Sequence, residues 1–167
     1  FRSGVLCSAA SGCDEPLSSP DKSAPVETPA PEAAVVAGTP LTAPDCRILT
    51  TQLATASGDD GEGSVASNSQ DDDVSTRWSG PGVGAFLSLD LGTSQPVAGV
   101  TVAWHRGHER QNRFVLSTSV DGVSFTQALA GDSALNTQAQ TYAFSPRQAR
   151  YVRITVNGNT VNDWASI

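Results

Sequence analysis

The stretch Asp71-Asp72-Asp73-Val74-Ser75-Thr76-Arg77-Trp78 carries more structural information than any other part of this chain. Three consecutive carboxylates repel one another unless a positive charge lies among them. Calcium binds several oxygen ligands at about 2.3–2.6 Å, and Asp71, Asp73 and Thr76 carry such oxygens within one turn. These three residues therefore form a candidate calcium site. The alternative interpretation is a solvated acidic loop before a strand.

Downstream of this loop, apolar residues recur in short runs that end at turn residues. The run 85–91 alternates apolar and polar residues and stops at Gly92, and Asp121-Gly122 is a strong hairpin signal. No window of a dozen residues has the apolar stripe of a helix. Strands are predicted at 85–91, 97–104, 114–120, 123–129, 141–144 and 149–156. This pattern predicts an all-β antiparallel sandwich, and residues 162–167 begin a further strand.

Upstream of the loop, residues 14–45 differ in composition from the rest of the chain. Seven of the 10 prolines lie in this segment, among Ala, Ser, Thr and Glu. Proline fixes φ and removes backbone donors, so neither helix nor sheet propagates through it. We predict three parts: a signal-like remnant at 1–13, a disordered acidic linker at 14–45, and a domain at 46–167.

The N-terminal segment contains two of the three cysteines. Ala10-Ser11-Gly12-Cys13 resembles the end of a bacterial lipoprotein signal, which predicts a lipid anchor at Cys13. The alternative is a secreted or disordered N-terminus with incidental thiols. Because the chain opens with Phe1, we expect a processed or truncated fragment. No run of about 20 apolar residues is present to span a membrane.

The net charge of −7 argues against general binding of nucleic acid or anionic lipid. Any anion must be held by a local cluster, and residues 104–113 provide one. This segment holds Arg106, Arg110 and Arg113 together with both histidines of the chain. Guanidinium groups pair with carboxylates in a bidentate manner, so the cluster suits a polymer of uronic acids.

Several motifs together resemble one known family. Asn68-x-x-Asp71-Asp72-Asp73-x-x-Thr76-Arg77-Trp78 resembles the N-x-x-D-G-D-x-x-T-R-W signature of discoidin domains, also called coagulation factor five/eight type C domains. These include the family thirty-two carbohydrate-binding modules. The segments 86–92, 119–125 and 149–154 are similar to further motifs of the family, W-L-x-x-D-L-G, S-x-D-G-x-x-W and A-R-Y-V-R-I. The match spans residues 46–167 and looks like a bacterial branch found beside alginate lyases.

The resemblance implies a jelly-roll, galactose-binding-like sandwich of about eight strands, with ligand loops at one end and a structural calcium nearby. Asp72 replaces the family's Gly, so its backbone is expected at a positive φ. Phe86 and Phe125 replace Trp and are expected in the core. Arg77 and Trp78 are interpreted as packing residues. The family's final strand would begin just past Ile167, which implies a missing strand and an incomplete calcium site.

The predicted ligand site is shallow and combines the basic cluster with the last polar loop. Aromatic faces stack on the C–H faces of sugars, which suits Trp164 in a loop that also holds Asn162. We predict a site formed by His105, Arg110, Asn159, Asn162 and Trp164, with Arg106 and His108 at the rim. In the alternative, Arg106 and Arg113 are solvated charges and Trp164 belongs to the core. A zinc site at His105 and His108 lacks an evident third ligand.

No nucleophile elbow, phosphate-binding loop or C-x-x-C motif is present, and no constellation of acids indicates glycoside hydrolysis. We therefore predict a non-catalytic, monomeric carbohydrate-binding module for a polysaccharide such as alginate. It is expected to be extracytoplasmic, either secreted or a cell-surface or periplasmic lipoprotein, and part of a larger polysaccharide-degrading protein. The alternative is an adhesion domain that binds proteins or phospholipid. The mostly polar loops argue against lipid, which selects for exposed apolar residues.

Overall fold

The computed structural model describes residues 4–6 and 48–167. The predictions for a lipid anchor at Cys13 and for the linker at 14–45 lie outside the described residues. No helix in the described part is long and apolar enough to cross a membrane. The elements in chain order are β1 Gly4–Leu6, β2 Ile48–Leu49, β3 Leu53–Ala56, the 3₁₀-helix Ala66–Gln70, β4 Ser79–Gly80, β5 Ala85–Val102, β6 Asn112–Ser119, β7 Thr126–Asp132, β8 Gln140–Asn159 and β9 Ala165–Ser166.

The described strands form two antiparallel sheets. The larger has seven strands in the order β2-β1-β5-β8-β6-β7, with β3 paired to β5 off this path. The smaller pairs β4 with β9, Ser79 opposite Ser166. This arrangement confirms the predicted antiparallel β-sandwich. The expected start of a strand after residue 162 is present as β9.

Two long strands, β5 and β8, replace four shorter predicted ones. The run 85–91 and the first six residues of the run 97–104 belong to β5, and the runs 141–144 and 149–156 belong to β8. The pairing register shifts between Asp90 and Gln95, where Gly92 adopts a φ of 80°. This break resembled a strand end in the sequence, but the backbone pairing continues across it as an irregularity.

The start of β5 lies beside the last residues of β8, and the residues that follow its end lie beside β9. The amide of Gly84, just before β5, donates to the carbonyl of Val156 at 2.8 Å, and the amide of His105 donates to Ser166 at 3.2 Å. Core residues from both halves of the strand, such as Leu89 and Val97, are fully buried in one cluster. The strand therefore wraps the core and returns the 103–111 loop to the end where β4 and β9 meet.

Indole groups anchor the core at this end. Trp78 is fully buried, and its Nε1 donates to the carbonyl of Gly58 at 2.9 Å. The Trp104 Nε1 donates to the hydroxyl of Tyr142 at 2.9 Å, which satisfies a polar atom inside the core. The prediction that Trp78 serves packing is confirmed.

The outer face of the sheet corrects one expectation from the sequence. Phe86 and Phe125 are not core residues: they lie on either side of the Arg153 guanidinium, with ring centroids 4.0 and 3.7 Å from its Cζ. Arg153 lies opposite Ser88 in the register, on the face of the strand that points away from the core. The two aromatic rings cover the aliphatic and planar parts of this arginine, a cation–π arrangement.

The hairpin between β6 and β7 is confirmed, but its turn is longer than two residues. The strands pair antiparallel, and residues 120–125 connect them. The Asp121 Oδ1 accepts hydrogen bonds from the amides of Val123 and Ser124 at 2.8 and 2.9 Å. These bonds lower the pKa of Asp121 to about 2. The carboxylate, with Gly122 at positive φ, organises the turn.

Candidate ligand-binding site

A groove of about 470 Å³ lies where the loops meet at one end of the sandwich. Four segments line it: the 60–62 turn, the end of the acidic loop with β4, the 105–110 loop that follows β5, and the 162–166 segment. These segments are distant in sequence. The groove exists because β5 and β8 each return to this end after wrapping the core.

Three guanidinium groups, from Arg77, Arg106 and Arg110, line the groove. Arg110 is only 9% exposed, and its Nε donates to the carbonyl of His105 at 3.2 Å. Burial lowers the pKa of Arg110, and the charges of Arg106 and Arg77 lower it further. Within the described residues no carboxylate forms an ion pair with Arg110. A partly buried, unpaired guanidinium of this kind favours an anionic ligand.

His105 lies among these arginines and is half-buried. Burial is the largest cause that lowers its pKa, followed by the positive charges of Arg77, Arg110 and Arg106. Both effects disfavour the imidazolium form. His105 is therefore neutral near pH 7 and can donate or accept a hydrogen bond in the groove.

Arg106 has an unusual backbone conformation at the mouth of the groove. Its φ is 51°, in the left-handed region that a long side chain rarely adopts. Its exposed guanidinium lies 3.5 Å from the carboxylate of Glu109, which is also 3.4 Å from His108. The strain costs of order 1–3 kcal/mol and presents the arginine at the surface of the loop.

Two acids, Asp60 and Glu62, line the groove together with these arginines. The Asp60 Oδ1 accepts hydrogen bonds from the amides of Glu62 and Ser64 at 2.9 and 3.1 Å, so it holds the turn in place. Hydrogen bonding from Ser64 is the largest cause that lowers the pKa of Asp60, and the charge of Arg77 adds to it. The groove therefore carries both signs of charge, with the guanidinium groups in excess.

Trp164 and Asn162 supply the aromatic and amide groups of the groove, and Trp164 is 39% exposed. The side chain of Asn159 organises their loop. Its Nδ2 donates to Asn162 Oδ1 and to the carbonyl of Trp164, both at 2.9 Å. Its Oδ1 accepts from the amides of Val161 and Asn162, also at 2.9 Å.

The structure brings together five of the seven predicted ligand residues, namely His105, Arg106, Arg110, Asn162 and Trp164. Asn159 does not line the groove and instead holds the loop from behind. His108 lines a neighbouring cavity of about 250 Å³ beside the acidic loop.

Sequence reasoning missed the contributions of Asp60, Glu62, Arg77, Ser79 and Ser166. Arg77 was assigned to packing because it lies in the family motif, whereas its Nε donates to Ser79 Oγ at 3.1 Å and the residue lines the groove. Its position next to a buried Trp in a charged loop was the available signal. The serines and the 60–62 acids carried no comparable signal.

The acidic loop folds around three converging oxygens. The Thr76 hydroxyl oxygen lies 2.7 Å from Asp71 Oδ2 and 2.9 Å from the carbonyl oxygen of Asp73. The carboxylate of Asp73 is used differently: its Oδ1 accepts from the amide and hydroxyl of Ser75 at 2.8 and 2.7 Å. Asp72 has a φ of 63°, which confirms the expected positive φ at this position.

These oxygens fit part of a calcium coordination shell. Among the described residues no group of three His, Cys, Asp or Glu side chains could hold a metal, so carboxylates alone do not form a site. Calcium also accepts carbonyl, hydroxyl and water oxygens. The fitting donors are the carboxylate of Asp71, the carbonyl of Asp73 and the hydroxyl of Thr76. The single hydroxyl proton of Thr76 can be donated to only one of the other two oxygens, which leaves the second without a hydrogen bond from it.

Comparison with known proteins agrees with this architecture. Solved structures similar to this chain include the carbohydrate-binding module of AlyQ in complex with 4,5-unsaturated mannuronic acid (36% identity, TM-score 0.68), which covers 71% of this chain and 91% of that one. A pectin-binding carbohydrate-binding module is 29% identical, with a TM-score of 0.68, over 71% of this chain and 87% of that chain.

A truncated AlyQ with carbohydrate-binding and alginate lyase domains is 37% identical, with a TM-score of 0.69, over 71% of this chain but only 31% of that chain. The match thus falls on the non-catalytic binding module, and the lyase domain lies outside it. No significant match is found among curated protein sequences. A family model described as "F5/8 type C domain" matches residues 53–167, which is more than half of the chain, and the chain therefore belongs to the F5/8 type C domain family.

Proposed function

We propose that this protein is a non-catalytic carbohydrate-binding module whose groove holds a uronic acid residue of a polysaccharide. The observation that carries the proposal is the arginine triad of Arg77, Arg106 and Arg110 beside an exposed indole. Arg110 is largely buried, without an ion-pair partner among residues 48–167, and it lines the same groove as Trp164. A carboxylated sugar meets both requirements, since its acid pairs with guanidinium and its ring stacks on the indole.

The relatives support the choice of an acidic sugar. One similar structure holds 4,5-unsaturated mannuronic acid, and another belongs to a pectin-binding module. Both ligands named there are built on uronates, of which alginate is the polymer we expected from the sequence. A larger polysaccharide-degrading protein around this module, an extracytoplasmic location and a monomeric state are parts of the same proposal. A lipid anchor at Cys13 remains a prediction from the sequence.

The proposal is tested by titration calorimetry with galacturonate and mannuronate oligomers, with neutral oligosaccharides of equal length, and with vesicles containing phosphatidylserine. We expect binding of the uronates alone, reduced about tenfold or more by Arg110→Gln and by Trp164→Ala. Arg147→Ala is the charge-matched control, because Arg147 lies in β8 and does not line the groove. An unchanged uronate affinity in both groove variants would refute the site. Binding to vesicles alone would favour the adhesion alternative.

We further propose that the acidic loop binds one structural calcium ion through Asp71, the carbonyl of Asp73 and Thr76. When bound, the ion neutralises adjacent carboxylates and fixes the loop. The loop ends at Arg77, which lines the ligand groove, so a fixed loop also fixes one arginine of the triad. Waters or further oxygens complete the shell.

A further inference from the structure

A second groove of about 360 Å³ lies on the other side of the loop that carries Trp164. It is lined by the polar residues Gln111, Asn157, Asn159 and Thr160, and by three charged residues. Val83, which is 64% exposed, gives it one apolar surface. Hydroxyl and amide groups beside a small apolar patch are the chemistry that recognises an uncharged sugar.

The two grooves share one wall, which is formed by the loop residues 162–164. Asn162 and Trp164 line the first groove, whereas Asp163 between them lines the second. Residues 162–164 therefore contribute side chains to both sides of this loop. A Cβ placed on Gly158 would lie 3.4 Å from Asp163 Oδ1. The Asp163 carboxylate therefore lies close to the backbone of Gly158, which also lines the second groove.

The charges of the two grooves differ in sign. In the first, three guanidinium groups face two carboxylates, with His105 neutral. In the second, the single guanidinium of Arg113 faces the carboxylates of Asp132 and Asp163. The Arg113–Asp132 contact is long, at 3.9 Å, between side chains that are 75% and 56% exposed, so it is a weak pair. The second groove thus favours a neutral occupant over an anionic one.

We propose that the second groove is an accessory subsite for an uncharged sugar residue next to the uronate held in the first groove. The preferred ligand is then a heteropolysaccharide in which uronic acid alternates with, or is flanked by, neutral sugars, instead of the all-uronate polymer alginate that the sequence led us to expect. This inference rests on the proposed uronate binding in the first groove. Asp163 and Asp132 act as specificity residues that reject a second carboxylate by like-charge repulsion.

The test compares three probes by titration calorimetry at low salt: a free uronate, a disaccharide of one uronate and one neutral hexose in either linkage order, and a di-uronate. We expect the mixed disaccharide in one order to bind about fivefold more tightly than the free uronate and the di-uronate. The double variant Asp132→Asn, Asp163→Asn should raise di-uronate affinity until this preference disappears. Affinity for the free uronate should rise by less than that for the di-uronate, and thermal unfolding of the variant serves as the control for folding.

The outcomes separate the two proposals. If the free uronate binds but the mixed disaccharide and the di-uronate bind equally well, the accessory subsite is wrong and the first groove stands. Equal effects of the double variant on all three probes would also overturn the subsite, because the acids would then act on the protein as a whole. If no uronate binds at all, the proposed function fails and this inference fails with it.

Discussion

Asn159 donates a hydrogen bond from Nδ2 to the backbone carbonyl of Trp164 at 2.9 Å, across five residues of chain. Its own amide also donates to the carbonyl of Asn162 at 2.9 Å. The loop is tied to its neighbour as well, since Thr160 donates from its amide to the carbonyl of Gln111 at 3.0 Å. One amide side chain thus sets where the indole of the groove lies.

Replacement of Asn159 by Asp or Ala should weaken ligand binding through the position of Trp164. Asn159→Asp keeps the acceptor for the Val161 and Asn162 amides but loses the two Nδ2 donations, and Asn159→Ala loses all four bonds. Each lost bond costs about 0.5–1.5 kcal/mol in an ordered loop. Uronate affinity should therefore be highest in the wild type, lower in Asn159→Asp and lowest in Asn159→Ala. Ligand-induced change in Trp fluorescence measures the effect, with Trp164→Phe as the assignment control. Equal affinity in all three proteins would contradict the positioning role.

Uronate affinity should rise as the pH falls below about 6.5. Burial and three arginines lower the pKa of His105 in the free protein, and a bound carboxylate raises it again. Binding therefore takes up a proton below about pH 6.5, and the affinity rises as His105 becomes protonated. Calorimetry in buffers of different ionisation enthalpy measures the uptake, and His105→Gln should abolish it.

The same shift has a stability consequence of defined sign. Because the folded pKa of His105 lies below its unfolded value of about 6.5, the unfolded state binds more protons under mildly acidic conditions. The free energy of unfolding should therefore decrease as the pH falls from about 6.5 to the folded pKa and level off below it. A wild-type stability profile that matches that of His105→Gln throughout this window would contradict the assignment.

Calcium should raise the melting temperature of metal-stripped protein, and chelation should lower it. Asp71→Ala should abolish the calcium effect, because the Asp71 carboxylate is the charged oxygen next to the Thr76 hydroxyl. Asp73→Asn should retain most of it, since the structure directs the carbonyl of Asp73, not its carboxylate, to this point. Thermal unfolding at millimolar calcium, with magnesium as the ion control, measures both. A larger loss in Asp73→Asn than in Asp71→Ala would reverse the assignment of donors.

The ion pair between Asp90 and Arg150 should stabilise the irregular part of β5. Both guanidinium contacts are 2.8 Å, from Nε and from one terminal nitrogen. Because the arginine side chain is 40% exposed, a double-mutant cycle with Asp90→Ala and Arg150→Ala should give a small but measurable favourable coupling. The matched control is Arg113 with Asp132, whose longer, more exposed contact should give a coupling near zero.

The pH dependence of this pair follows from Asp90. Hydrogen bonding from Arg150 is the largest cause that lowers the pKa of Asp90 below 3.8. Its stabilising contribution is therefore present above about pH 4 and lost as the pH falls through the folded pKa. Arg150→Ala should flatten this acid limb in urea-unfolding experiments, and an unchanged limb would show that other carboxylates dominate it.

The sequence supported the fold well because the signals were local. Alternation in 85–91, the Asp121-Gly122 turn and the ordered motif around Trp78 each depend on neighbouring residues. The merging of four predicted strands into two was not predictable in this way, because Gly92 and Pro96 look like ends of strands. Whether a chain stops or continues past such residues depends on its hydrogen-bonded partner, which lies more than 50 residues away.

For side chains on the outer face of the sheet, orientation likewise follows from local sequence, whereas contacts depend on distant residues. Arg153 points away from the core from a regular part of β8, whereas Arg150 lies at the irregularity between Ala149 and Tyr151. Their partners could not be predicted: Arg150 reaches Asp90 across the sheet, and Arg153 lies between Phe86 and Phe125 from two different elements. These contacts are set by the strand register, and a shift of one residue would abolish them.

By itself, the sequence indicated the family, the antiparallel sandwich and the concentration of charge around 105–110, because each signal lies in short stretches of neighbouring residues. The resemblance to the family implied the positive φ of Asp72. Only the tertiary structure decided what lines the groove. It brought Arg77, Asp60 and Glu62 to the predicted arginines and placed Asn159 behind the loop instead of in the site. The physical reason is the course of β5 and β8, which wrap the core and bring four sequence-distant segments to one end, where their charges and hydrogen bonds combine.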